Sequence, residues 1–270
     1  MKVNSLVVFY LLFCVTSLNA AEGCHSWIDI QEDPAFRVRV GYGGLYMRNT
    51  QESDFPLYQQ MFRDPVAMEK YMEGGPREMG EIDRRFQEYL GNSKAKNPWN
   101  SMLVYAPETR DEEELLEGRG GSLAEEEEIS DFFAKDRFVG HVMLEPGRVS
   151  GEAELSYVVL PEQQGKGYCK RAVEGVFGVL IPRIVGKYRL GGKTVTQVYA
   201  TARPDNEASV KVLKRNNFRF ETWDNKFGAK RGFYVRRLFP DNVCDANILS
   251  PDPYGKVFFP SLSVPVVSTY

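Results

Sequence analysis

The sequence predicts a mixed α+β fold, strands alternating with amphipathic helices around one core, and three observations carry that prediction. Leu160-Pro161-Glu162-Gln163-Gln164-Gly165-Lys166-Gly167-Tyr168 sets two glycines around one residue, directly after an apolar strand and directly before an amphipathic helix. Val198-Tyr199-Ala200-Thr201-Ala202-Arg203-Pro204-Asp205-Asn206-Glu207-Ala208-Ser209 repeats the order strand, turn, helix. The 270 residues are 43% hydrophobic and 26% charged, an ordinary globular composition for which one large domain is the simpler reading.

The elements follow in chain order. In residues 1–21, Lys2 precedes an apolar run from Leu6 to Val15, and small and polar residues end in Leu18-Asn19-Ala20-Ala21. This reads as a signal peptide of a secreted or exported chain, because the run is shorter than the roughly 20 residues a membrane span needs. An uncleaved N-terminal anchor is the alternative, a lipoprotein site at Cys24 is weaker, and no stable membrane span is expected after signal removal. Residues 22–43 form an N-terminal extension of open role, in which Phe36 to Val40 alternate as a strand does. Residues 45–48 are a first strand, and residues 50–63 a helix capped by Thr50 or Ser53 and closed at Asp64-Pro65. Residues 77–90 form another helix, since Met79, Ile82, Phe86 and Tyr89 or Leu90 share a face. A strand over 99–106 leads into an acidic insertion, 107–136, with Glu112 to Glu114 and Glu125 to Glu128. Its charge predicts a solvated, mobile loop; a lid or collar for cationic substrates is the other reading.

Strands over 138–144 and 152–160 resume the sheet across a turn at Pro146-Gly147, and residues 168–184 form the helix after the glycine turn. Residues 186–193 make a surface loop or hairpin, and 217–224 and 231–239 a closing antiparallel pair. The tail, 240–270, has five prolines and is expected to wrap the surface. A formal net charge of -3 gives no global attraction to phosphate backbones, so nucleic acid is not expected as a partner. Lys211, Lys214, Arg215, Arg219, Lys226, Lys230 and Arg231 still make the region after the second turn basic, as a solvated face or a local anion patch. Cys24 and Cys244 flank the proposed domain and could form a disulfide in an oxidising compartment, Cys169 reads as buried packing, and His25 and His141 with no paired cysteine spacing predict no metal site.

The glycine turn is the sharpest chemical signal. Glycines leave backbone N–H groups unobstructed, and a helix start adds unpaired donors and a positive dipole end, so a pyrophosphate settles there without a dedicated cation. A tight strand-to-helix turn with no ligand uses the same pattern.

The collinear set of Leu45 to Arg48, Asp64-Pro65, Phe138-Val139-Gly140-His141-Val142, Glu154-Leu155-Ser156-Tyr157-Val158-Val159, the glycine turn, and Asn206-x-x-Ser209-x-x-x-Leu213-x-x-x-Asn217-Phe218-Arg219-Phe220 resembles the GNAT superfamily of acyl-CoA-dependent N-acetyltransferases. The likeness is to its RimJ/RimL-like branch, which acetylates protein N-termini and other primary amines, and it covers residues 44–239. It implies a central twisted, mostly antiparallel sheet with a splayed strand pair at the cofactor site and helices on both faces. It further implies acetyl-CoA as cosubstrate, no metal, an amine acceptor that is a protein or a small molecule, and direct attack in a ternary complex. The strand end at Val158, Val159 and Leu160 would hold the pantetheine arm and the amides of Gln164, Gly165, Lys166, Gly167 and Tyr168 the pyrophosphate. Asn206 would contact the arm, Ser209 would lie near it, and the two helices before residue 91 would wall the acceptor.

An amine of pKa about 10.4 is protonated at neutral pH, so transfer needs a base. Glu154, on the strand leading to the cofactor turn, is the candidate, acting directly or through a water, with burial expected to raise its pKa. A salt-bridged strand carboxylate is the alternative. Ser156 shares its face and would position the amine or a water, and a backbone N–H from Val158 to Leu160 would meet the charge growing on the thioester carbonyl. Asn206 also suits a helix N-cap. Three residues depart from the family pattern: Glu162 replaces Gln or Arg, Leu213 replaces a tyrosine acid, and Asn217 replaces a glycine. The first two keep open a catalytically silent acyl-CoA-binding or interaction module. Export requires a destination that supplies acetyl-CoA.

Overall fold

A computed structural model describes residues 26–33, 35–107 and 137–239. The expected signal, the acidic insertion beyond Pro107, the tail and both Cys24 and Cys244 lie outside the described residues. The strands are β1 (Ser26–Gln31), β2 (Arg37–Tyr42), β3 (Leu45–Asn49), β4 (Ser101–Tyr105), β5 (Phe138–Pro146), β6 (Glu152–Val159), β7 (Gln197–Ala202), β8 (Arg219–Lys226) and β9 (Ala229–Arg237). They form one sheet in the order β1-β2-β3-β4-β5-β6-β7-β9-β8. Every neighbouring pair is antiparallel except β6 with β7. The mostly antiparallel sheet expected from the resemblance is thus present. Residues 22–43 acquire a role: β1 and β2 extend this sheet, with Val38 and Val40 turned inward and fully buried.

Helix α1 (Phe55–Arg63) starts later than expected, behind a single 3-10 turn at Glu52–Asp54. Neither Thr50 nor Ser53 caps it. Thr50 is buried and its hydroxyl lies 2.7 Å from the Tyr58 hydroxyl, while Asp54 accepts the Gln51 amide and two guanidinium N–H groups of Arg48 at 2.7 Å each. An ion pair to β3 therefore sets the helix entry. Asp64 ends α1 and opens the short α2 (Pro65–Met68), its side chain accepting the amides of Val66 and Ala67. In α3 (Met79–Lys94), Ile82, Phe86, Tyr89 and Leu90 are buried, but Met79 at the first turn is exposed. These helices pack with Tyr46, Leu103, Met143 and Val158 in one cluster on one sheet face.

Helix α4 (Tyr168–Gly175) runs through a π-helical segment, Val176–Leu180, into Ile181–Ile184. The widened turn precedes Pro182, whose nitrogen cannot donate to the helix ladder. Helix α5 (Glu207–Arg215) closes with Phe218 N–H on Leu213 O and Asn217 N–H on Lys214 O, and Asn217 takes the left-handed conformation expected of it, φ 61°. The last hairpin turns at Phe227-Gly228, both at positive φ, so β8 ends and β9 begins two residues from the expected bounds. Among the described residues, no helix is long and apolar enough to cross a membrane.

Candidate functional site

The parallel pair is where the sheet opens. β6 and β7 are in register only at Glu152 with Gln197, Ala153 with Val198 and Glu154 with Tyr199. β6 then continues to Val159 and β7 to Ala202 without pairing to each other, and a cavity of about 780 Å³ fills the gap. It reaches from the glycine turn to α2 and is lined by Glu154, Ser156, Val158, Val159, Gln164, Gly165, Gly167, Tyr168, Asn206 and Ser209. Ten expected residues thus meet at one place, whereas Leu160 and Lys166 do not line it.

Strand geometry explains the first exception. Leu160 donates its N–H to Val139 O at 2.9 Å, and since successive residues of a strand point their backbone groups to opposite edges, Val158 also faces β5. Tyr157 and Val159 therefore turn their N–H groups into the gap. The backbone donors expected from Val158 to Leu160 reduce to Val159, joined by Tyr157.

At the glycine turn, Gly165 and Gly167 both hold left-handed φ, 78° and 79°, and a Cβ at either would meet nothing within 4 Å. Backbone conformation, not crowding, requires glycine here, and the space in front stays open. Gly167 is the N-cap of α4 and brings no capping side chain, so the first-turn amides of α4 remain available. These residues fit a pyrophosphate. Glu162 is exposed and does not line the cavity, so its carboxylate is kept away from such a ligand. Lys170, Lys211 and Arg215 add positive charge to the same end.

Asn206 performs the capping role: its side-chain oxygen accepts Ser209 N–H at 3.2 Å. Its amide nitrogen has no partner among the described residues. The Ser209 hydroxyl lies 2.9 Å from the buried Tyr157 hydroxyl, and Leu213, at the place of the family tyrosine, is fully buried.

The opposite end lies on the other sheet face. Glu154 is directly across from Glu145 on β5, and Ser156 from Met143. The Glu154 carboxylate is taken up by Lys226, Nζ to Oε2 2.6 Å, and by the Tyr199 hydroxyl, which donates at 2.9 Å. Glu145 has no hydrogen-bond or ion-pair partner among the described residues. Burial raises its pKa; Arg85 opposes the shift and Glu154 adds to it. Ser156 is 3.2 Å from the Tyr71 hydroxyl, whose pKa burial pushes up to about 12. Behind Tyr71 lies His141, edge-on to Tyr58 and Phe62, with Nδ1 3.3 Å from the Ser101 hydroxyl and burial driving its pKa down to about 3. Arg231, 5% exposed, closes the wall toward β7.

Sequence reasoning missed Glu145, Tyr71 and Tyr157. The last two have no local signal. Glu145 had one: it ends a strand whose antiparallel register with the next sets it opposite Glu154. Among the described residues, no three His, Cys, Asp or Glu side chains gather as a metal site would need. Cys169, in the first turn of α4, is a free thiol that burial pushes up to about 12.

The geometry agrees with what comparison finds. The structure resembles the acetyltransferase (GNAT family) from Bacillus anthracis, with a TM-score of 0.50 and 14% identity over 74% of this chain and 98% of that one. Spermidine N-acetyltransferase from Vibrio cholerae, solved with CoA and spermine, gives 0.47 and 14% over 72% and 96%. The Salmonella typhimurium acetyl transferase that modifies the N-terminal serine of ribosomal protein L7/L12 gives 0.49 and 15% over 72% and 95%. No relative is found among curated proteins. Residues 44–219, more than half of the sequence, match the acetyltransferase (GNAT) domain, and the chain therefore belongs to the GNAT acetyltransferase family.

Proposed function

We propose that the protein is an acetyl-CoA-dependent N-acetyltransferase acting on a primary amine by direct attack in a ternary complex. One observation carries the reading: a single cavity runs from an open glycine turn, along the edge of β6 that β7 leaves free, to a half-buried carboxylate without a partner among the described residues. Acetyl-CoA supplies the acetyl thioester. The turn amides and first-turn donors of α4 bind phosphate, and the Tyr157 and Val159 N–H groups orient the arm and meet negative charge on the carbonyl. Glu145 takes the proton of the amine, because its raised pKa brings it nearer to that of the acceptor while Glu154 is held by Lys226. Ser156 and Tyr71 hold the amine in line. In this reading the Tyr157–Ser209 hydroxyl pair stands near the leaving sulfur, where Leu213 offers no proton.

The test is thermal. Acetyl-CoA at 100 times its dissociation constant should stabilise the purified protein by about 2.7 kcal/mol. The shift should vanish when Gly165 and Gly167 are both replaced by valine. A folded native chain that shows no shift sinks the reading.

A catalytically silent acyl-CoA-binding module is the second reading, favoured by the engaged Glu154 and by Leu213. It predicts the same shift without turnover on any amine. Export through residues 1–21 is part of the proposal and places the enzyme where acetyl-CoA is delivered; recovery of the intact chain only in the producing cell's cytosol would reject it.

A further inference from the structure

Arg231 is a charged residue of the cavity wall that proton transfer and cofactor binding leave unexplained. It sits on β9 and is 5% exposed. Its three hydrogen-bond partners among the described residues are neutral oxygens: Nε donates to Thr201 Oγ1 at 3.1 Å, one terminal nitrogen to Met72 O at 3.1 Å, and the other to Thr201 O at 3.3 Å, while the Phe227 ring lies 5.7 Å from the guanidinium carbon. A guanidinium has five N–H groups, so two remain without a partner among the described residues. Two carboxylates lie close enough to act on it, and both are held elsewhere, Glu154 by Lys226 and Glu73 by Arg77. Arg203, itself paired with Asp205, adds like charge. Burial, with Arg203, lowers the pKa of Arg231. A cation taken out of water without a counter-ion is costly, and a carboxylate delivered by a ligand restores the pairing.

We propose that the acceptor carries a carboxylate close to its amine and that Arg231 receives this carboxylate while the amine lies toward Glu145 and Ser156. The class is an aminocarboxylate, from either of two sources: a free amino acid or the acidic N-terminal residue of a polypeptide. A polyamine, cationic throughout, would set a second ammonium against an unpaired guanidinium. Arg is suited to the task because its planar fork grips a carboxylate through two parallel bonds. The inference rests on the acyltransferase reading for turnover, and binding tests it separately.

The experiment compares acceptors matched except for the carboxylate, using the full chain with acetyl-CoA, with kcat/KM expressed per neutral amine because the carboxylate also raises the amine pKa. Asp-Ala-Ala-amide is set against Asn-Ala-Ala-amide, alanine against alaninamide, and spermidine serves as the polyamine. Both kcat/KM and the calorimetric dissociation constant are read. In at least one pair the carboxylate member should be favoured about tenfold to a hundredfold. The ratio should fall toward one in Arg231→Gln and partly in Arg231→Lys. Preference confined to the peptide pair identifies a polypeptide N-terminus, and preference confined to the alanine pair a free amino acid. Calorimetric preference without turnover supports the role of Arg231 and rejects the acyltransferase reading. Should Arg231→Gln not fold, Arg231→Lys carries the ratio. Equal treatment of both members of each pair, a stronger response to spermidine, or a variant that weakens both members alike, as loss of a mere brace between β7 and Met72 would, overturns the proposal.

Discussion

From the glycine turn to Asn206 the cavity wall is formed by Gln164, Gly165, Gly167 and Tyr168, the gap-facing edge of β6 and the start of α5, where the main chain supplies the donors. At the far end, Glu145, Glu154, Tyr71, Thr201 and Arg231 arrive as side chains from β5, β6, the segment after α2, β7 and β9. The first end needs only a backbone path, and two left-handed glycines fix it. The second needs side chains separated by up to 160 positions to converge, and it gathers the perturbed titrations of Glu145, Tyr71, His141 and Arg231. Substitutions should therefore split cleanly between the two ends.

The largest split is expected at the paired carboxylates. Glu145→Gln should lower kcat by about 10² to 10⁴ while acetyl-CoA affinity holds. Glu154→Gln should cost less in kcat, because it removes the partner of Lys226 and not the proton acceptor. The acid limb of the rate profile should follow the folded value of Glu145, above the ordinary carboxylate range, and disappear in Glu145→Gln. Full turnover in Glu145→Gln with collapse in Glu154→Gln would return the base to the residue expected from sequence.

The next effect concerns acid stability and again lies on the side-chain end, behind Tyr71. His141 has its pKa depressed from 6.5 to about 3 by burial. The unfolded chain therefore takes up a proton below 6.5 that the folded chain refuses, so stability is complete above 6.5 and falls as pH drops toward 3. The loss should be a few kcal/mol at most, read as the urea midpoint between pH 7 and pH 4. His141→Phe keeps the ring among Tyr58, Phe62 and Tyr71 and should flatten that dependence, whatever it does to stability at pH 7. Parallel pH curves for the two proteins would remove His141 as the cause.

The same asymmetry governs what was legible in the sequence. Gly165 and Gly167 announce themselves because a left-handed turn before a helix is written in consecutive residues, and Asn217 shows its conformation for the same local reason. The sheet order and the splay were legible only through the collinear resemblance; periodicity marks strands but not which pairs stop pairing after Glu154. Helix α1 was misjudged at its start because the deciding contact, Arg48 with Asp54, competes with the local capping signals of Thr50 and Ser53. Glu154 stands out in the sequence as a carboxylate on the strand before the glycine turn, yet Lys226 lies 72 positions away on the last hairpin, and no local pattern foretells that pair. Arg231 appeared as one member of a basic stretch. Burial alone separates it from Lys230 beside it, which is exposed.

Asn206 gives the smallest effect and the sharpest division, because it holds a structural and a recognition role on one side chain. Its oxygen caps α5 through Ser209 N–H, and loss of such a cap in Asn206→Ala should cost about 1 kcal/mol, visible as a lower Tm without ligand. Serine also caps helices, so Asn206→Ser should recover most of that stability. Serine does not carry an amide nitrogen. If that nitrogen binds the cofactor arm, Asn206→Ser should match the native Tm in the absence of ligand and show weaker acetyl-CoA affinity, whereas Asn206→Ala loses both. Recovery of affinity together with stability would mean that Asn206 serves the cofactor only by ordering the first turn of α5. The cofactor end would then be a main-chain site throughout, in full contrast to the side-chain site facing it.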